Sequence, residues 1–101
     1  MWPIARFRVS DSSMVPTLNP GDYVLVNRWA YLLGRPSPGD IVVVRHPTHT
    51  NTVLVKRVAS VTEGGDVIVR GDNPDRSVDS RQFGPIPRGR IVGKAFTTAK
   101  P

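Results

Sequence analysis

A small β-rich domain with little helix is what this sequence predicts, and three observations predict it. Short β-branched runs recur along the chain, ten prolines and nine glycines punctuate them, and no stretch keeps a 3.6-residue apolar period beyond two turns. The candidate strands are Arg6 to Val9, Tyr23 to Asn27, Asp40 to Arg45, Thr52 to Val61, Val67 to Arg70 and Arg90 to Ala95. Between them, Gly21-Asp22, Gly39-Asp40, Gly65-Asp66 and Gly71-Asp72 mark hairpin ends. Trp29 to Gly34 is the one plausible helical turn, either a connector that buries aromatic side chains or an apolar surface for a lipid or hydrophobic peptide. His46 to Asn51 reads as an exposed hairpin loop whose two histidines lack a carboxylate at ligand spacing, so neither a metal nor a cofactor is expected.

At 101 residues the chain holds a single domain, residues 1–101. It has no cysteine, so catalysis must use oxygen or nitrogen. A net charge of +6 would suit nucleic acid or an anionic membrane, but the basic residues are scattered among acidic ones, and nucleic acid is not an expected partner. The longest apolar runs, Trp29 to Leu33 and Ile41 to Val44, fall far short of the roughly 20 residues a membrane span needs. Arg6 and Arg8 interrupt any secretory h-region at the N-terminus. The location expected is cytoplasmic or peripheral at a bacterial membrane, with Trp29, Tyr31, Leu32 and Leu33 as the possible membrane-surface contact.

Chemistry concentrates in three stretches. Ser13 follows the first strand-like run and precedes Pro16 and Pro20, so stiff backbone holds its hydroxyl. A serine needs a base to become a nucleophile. In Thr52 to Ala59 the period of two puts Lys56 on one side with Leu54 and Val58, and Arg57 on the other with Val53 and Val55. A lysine among apolar neighbours is desolvated, its pKa falls, and it becomes a usable base; the bland reading is an edge lysine that snorkels to water. The third stretch, Gly71 to Arg81, carries three aspartates, but their spacing and Phe83 at the twelfth position do not make an EF-hand. It reads instead as a hydrogen-bonded corner, Asp72 and Asp79 facing Arg57 and Arg81, with Ser77 free to orient Lys56.

Ser13-Met14-Val15-Pro16-Thr17-Leu18, Gly39-Asp40-Ile41-Val42-Val43, Lys56-Arg57-Val58 and the Gly71 to Arg81 stretch resemble, in order, the boxes of the type I signal peptidases, a family of Ser/Lys endopeptidases. The resemblance spans about four fifths of the chain. It implies an all-β, barrel-like catalytic core with Ser13 as nucleophile and Lys56 as base. Ser77 would hydrogen-bond Lys56, while Asp79 with Arg81 and Asp72 with Arg57 would buttress the site. The implied activity is removal of an N-terminal leader or signal peptide from a precursor protein, through an acyl-enzyme, with small residues before the cleaved bond.

Two departures stand out. Where Gram-negative members carry an oxyanion-binding serine two residues before the nucleophile, this chain has Asp11, whose charge would repel the oxyanion. Asp11 must then point away, be protonated, or yield to the Ser13 N–H and another donor such as Ser12. Secondly, only 14 residues separate Lys56 from Gly71, where larger members carry a β-rich insertion, so the chain resembles the minimal catalytic core. Short members of this kind resemble the maturation proteases of nickel-type superoxide dismutase, whereas Asn27 to Tyr31 resembles ordinary signal peptidase. The substrate is thus a dismutase precursor or a secretory preprotein. Rival readings are a self-cleaving repressor-type regulatory domain and an inactive peptide-binding paralogue.

Overall fold

Alternating β-branched residues become six strands: β1 (Ile4–Arg8), β2 (Tyr23–Asn27), β3 (Ile41–Arg45), β4 (Val53–Val61), β5 (Val67–Arg70) and β6 (Ile91–Ala99). The structure is a computed structural model that describes residues 2–32, 34–49 and 51–99. The strands form one sheet in the order β1-β2-β6-β3-β4-β5, every pairing antiparallel. The all-β expectation is met; among the described residues helix is confined to single turns at Pro74–Arg76, Ser80–Phe83 (α1) and Arg88–Arg90.

The run Val42-Val43-Val44 does not alternate because both sides of β3 are covered. Val43 joins Val9, Met14, Leu18, Val24 and Val26 in one apolar cluster; Val42 and Val44 join Val58, Val67, Val69 and Ile86 in the other. Burying each such side chain stabilises the fold by roughly 1.5–3 kcal/mol. Met14 and Leu18 matter most for the site, because they nail the segment after β1 into the first cluster and so fix Ser13 beside it.

The outer strands β1 and β5 do not pair, yet the chain beyond each does. The Asn73 N–H donates to the Ser13 carbonyl at 2.8 Å, Asn73 Nδ2 to the Ser12 carbonyl at 3.0 Å, and Thr17 Oγ1 to Asp72 at 2.6 Å. Barrel-like closure is therefore made by two connecting segments and not by a strand ladder.

Several details depart from expectation. β6 runs past Ala95 to Ala99, because Thr97, Thr98 and Ala99 pair with Leu25, Val24 and Tyr23. β1 starts at Ile4 and stops before Val9, which leaves the ladder to bond its N–H to the Asp22 carbonyl. The described residues of Trp29 to Gly34 hold no helix; Asn27 Oδ1 accepts the Trp29 N–H, and the Ala30 and Leu32 N–H groups close four-residue turns onto the Asn27 and Trp29 carbonyls. Leu33 lies outside the described residues. Of the Gly-Asp steps only Gly65-Asp66 closes a tight hairpin, between β4 and β5; Gly21 and Gly39 adopt positive φ just before β2 and β3. Gly71 does something else, described next.

Candidate active site

Lys56 sits mid-β4, opposite Val42, and its side chain is 1 % exposed. β4 holds it inward because Leu54 and Val58 on the same side pack into the second apolar cluster. Nζ donates to Ser77 Oγ at 3.1 Å. Burial depresses the lysine pKa below its ordinary value; the negative charges of Asp11 and Asp79 oppose that shift, and Arg81 adds to it.

A chain of donors and acceptors stands behind the amine. Ser77 Oγ donates to Asp79 Oδ2 at 2.7 Å, the Gly71 N–H reaches the same oxygen at 2.9 Å, and Arg81 Nε reaches Oδ1 at 3.0 Å. Asp79 is fully buried. Burial alone would raise its pKa, but the bonds from Arg81, Gly71 and Ser77 outweigh it and hold the carboxyl well below the usual range. Asp79 also caps α1, where it accepts the Arg81 N–H while Gln82 Oε1 accepts the Asp79 N–H at 2.9 Å. On the adjoining side Arg57 grips Asp72 with two bonds of 2.8 Å and the Gly39 carbonyl with a third.

Gly71 is where these parts touch. A Cβ there would lie 2.6 Å from the Ser13 carbonyl and closer still to Ser77 Oγ, so only glycine lets the strand end pass this close to both. The Ser13 carbonyl and the Ser77 hydroxyl that holds Lys56 thus crowd the same side of one Cα. Ser13 is 2 % exposed. Its hydroxyl, however, is donated to Asp11 Oδ1 at 2.9 Å, and its N–H to the same oxygen at 3.1 Å. Asp11 does not point away from Ser13; it faces it. Ser12 contributes its backbone carbonyl, which accepts from Asn73 Nδ2 and from the Val15 N–H.

Sequence reasoning passed over Thr17, Gly71's close approach, Asn73 and Gln82. The spacing of Asp79 and Gln82 is a readable capping signature; the others depend on long-range contact. His46 and His49 stack edge to face at 4.5 Å, with His46 also against Phe83. Among the described residues no three His, Cys, Asp or Glu side chains gather as a metal site.

A cleft of about 160 Å³ opens beside Asp11, between Arg8–Asp11 and Thr52–Val55. Among the described residues its walls are two unpaired strand edges, since there β1 pairs only with β2 and Val53–Lys56 only with β3. A larger hollow of about 550 Å³, around Tyr31, Asp40, Lys94 and Phe96, shares no residue with the Ser13 and Lys56 neighbourhood. Tyr31 turns inward there, packing on the second cluster and donating to Asp40 at 2.7 Å, so it is not part of an outward apolar surface. Trp2, Trp29, Leu32 and Phe96 are exposed.

Comparison with known proteins bears on the family of the chain. The family described as "Signal peptidase, peptidase S26" matches residues 1–69 and 60–99. The chain is 38% identical over 107 residues to the mitochondrial ATP-independent inner membrane protease subunit 1b of Arabidopsis thaliana, an alignment covering 83% of this chain and 63% of that protein. It is 33% identical over 118 residues to the mitochondrial inner membrane protease subunit 2 of Saccharomyces cerevisiae, covering 93% and 67%. Signal peptidase I of Aquifex aeolicus shares 36% over 62 residues, which is 61% of this chain and 23% of that protein. This chain thus spans a little under two thirds of the Arabidopsis relative and under a quarter of the Aquifex one, and over the span it does cover it belongs to the signal peptidase family.

Proposed function

We propose that the chain is a serine endopeptidase that removes an N-terminal leader or signal peptide from a precursor protein, with Ser13 as nucleophile and Lys56 as general base. The observation that carries this reading is the Lys56 amine, fully buried yet bonded to a hydroxyl instead of a carboxylate. Such an amine is costly to keep, and burial readies it to work unprotonated.

In the proposed reaction Lys56 Nζ takes the Ser13 Oγ proton as Oγ attacks the scissile carbonyl. The proton passes to the departing amine, and Lys56 then activates the water that hydrolyses the acyl-enzyme. Ser77 aims Nζ, and Asp79, itself held by Arg81 and Gly71, aims Ser77. Arg57 and Asp72, joined to Thr17, keep the two connecting segments together. The Ser13 N–H, with Ser12, would receive the oxyanion. The substrate enters as an extended strand between the free edges of β1 and β4, which suits the narrow cleft and not the larger hollow.

The names of the relatives, inner membrane proteases and a signal peptidase, favour a preprotein met at a membrane over a dismutase precursor as substrate. Exposed Trp29 and Leu32, with Trp2, would make the surface contact, and the net charge of +6 would favour anionic lipid. Trp29→Ala with Leu32→Ala should lower sedimentation with phosphatidylglycerol vesicles several-fold. Undiminished binding by that pair would remove the membrane contact.

Cleavage is tested with a precursor bearing an Ala-x-Ala leader, its products weighed by mass spectrometry. Ser13→Ala and Lys56→Arg should both be inactive, because the first has no nucleophile and a guanidinium cannot act as base. Ser12→Ala should still cleave. An active Lys56→Arg enzyme would end the proposal.

A further inference from the structure

One side chain at the site has no task in that mechanism. Asp11 Oδ1 accepts both hydrogen bonds that Ser13 can donate, from its N–H and from its hydroxyl. Each donor is needed elsewhere during proteolysis, the hydroxyl proton by Lys56 and the N–H by the oxyanion. While Asp11 keeps them, neither is available. The carboxylate also lines the cleft in which the scissile peptide would lie.

We propose that Asp11 is a positioning residue that acts as a brake: it caps Ser13 in the free protein, and the incoming substrate strand must displace it before the hydroxyl can turn to Lys56. The inference rests on the Ser13 and Lys56 assignment. An attacking group tied into a charge-assisted hydrogen bond must break that bond on the way to the transition state, which slows the step. The competing role, Asp11 as the base itself, is chemically poorer, since a carboxylate holds a proton far more weakly than a neutral amine at the pH where peptides are cut.

The carboxylate has a second effect, through charge. It opposes the downward pull of burial on Lys56, so its removal should let the amine shed its proton at lower pH. The other charged groups acting on Lys56 are Asp79 and Arg81, from the cap of α1. Arg8 lines the cleft together with Asp11, and Arg57 and Asp72 satisfy one another. Asp11 is solvent-exposed, so replacing it leaves the core intact.

The test compares wild type, Asp11→Ala and Asp11→Asn on a fluorogenic peptide with alanine at the first and third positions before the cleaved bond, from about pH 5 to 10. Ser13→Ala serves as the inactive control. Removing the cap should raise kcat/KM roughly tenfold, the factor expected when a charge-assisted bond no longer has to be broken between the free enzyme and the transition state. Asp11→Asn, which keeps an acceptor without the charge, should fall between. In both variants the rising limb of the rate should move to lower pH. A rate that drops in Asp11→Ala would make Asp11 a participant and overturn the brake, and an unchanged rate and pH profile would overturn it too.

A second readout needs no substrate. The chain has three lysines, so the Lys56 ¹³Cε signal can be followed by NMR alongside the Ser13 amide proton. Asp11→Ala should shift the Ser13 amide upfield as its bond is lost and lower the Lys56 titration midpoint. If no form of the protein cleaves the peptide, the protease assignment fails, and these two signals still decide whether Asp11 caps Ser13. Neither one moving would refute the cap.

Discussion

Lys56 couples the proposed chemistry to the stability of the fold through a single proton. Its pKa in the folded chain is lowered by burial, while the unfolded chain restores the ordinary lysine value near ~10.4. Between those two pKa values the unfolded state binds more protons, so stability rises with pH across that window. Below the folded pKa the buried amine must carry its charge, and that costs stability. The rate should follow the same titration, rising with pH as Nζ loses its proton and then levelling. Lys56→Met should flatten this part of the stability profile, measured as urea midpoints at pH 7 and pH 9. Equal slopes for the two proteins would mean that the amine is not desolvated.

At the level of elements, the one-turn helix α1 is too short to persist on intrinsic propensity. The reciprocal cap between Asp79 and Gln82 holds it, and Asp79 in turn holds Ser77. Gln82→Ala should therefore lower stability by about 1 kcal/mol, the usual cost of a lost cap, seen in chemical denaturation. It should reduce cleavage by more than that loss of folded protein explains, because the Ser77 to Lys56 bond loosens as well. Acid acts on the same element with a defined sign. The Asp79 pKa is depressed by folding, so its contribution is present above the unfolded carboxylate value near ~3.9 and fades as pH falls below it.

For the molecule as a whole, much of the fold was legible in the sequence because its signals are local. Tyr23–Asn27 and Val67–Arg70 have the bounds that β-branched runs and flanking glycines suggest. The period of two along Thr52 to Ala59 put Lys56 with Leu54 and Val58, and the side chain does point into the apolar cluster those residues join. What escaped depended on distant chain. The last residues of β6 pair only because β2 offers Tyr23 to Leu25, and the stretch from Asn27 to Leu32 closes as turns, with the Asn27 side chain accepting the Trp29 N–H. The posture of Asp11 is a rotamer choice set by Ser13, on which composition and spacing are silent.

The meeting of the Ser13–Leu18 and Gly71–Asn73 segments has a thermal consequence. Among the described residues no strand ladder crosses that seam; a few side-chain and backbone bonds do. Such a contact opens at a lower free-energy cost than the sheet it joins. Warming should part Ser13 from Lys56 while the strands are still intact, so the proposed cleavage should fade several degrees before the far-ultraviolet circular dichroism signal does. Coincident curves would mean that the seam and the sheet melt as one unit.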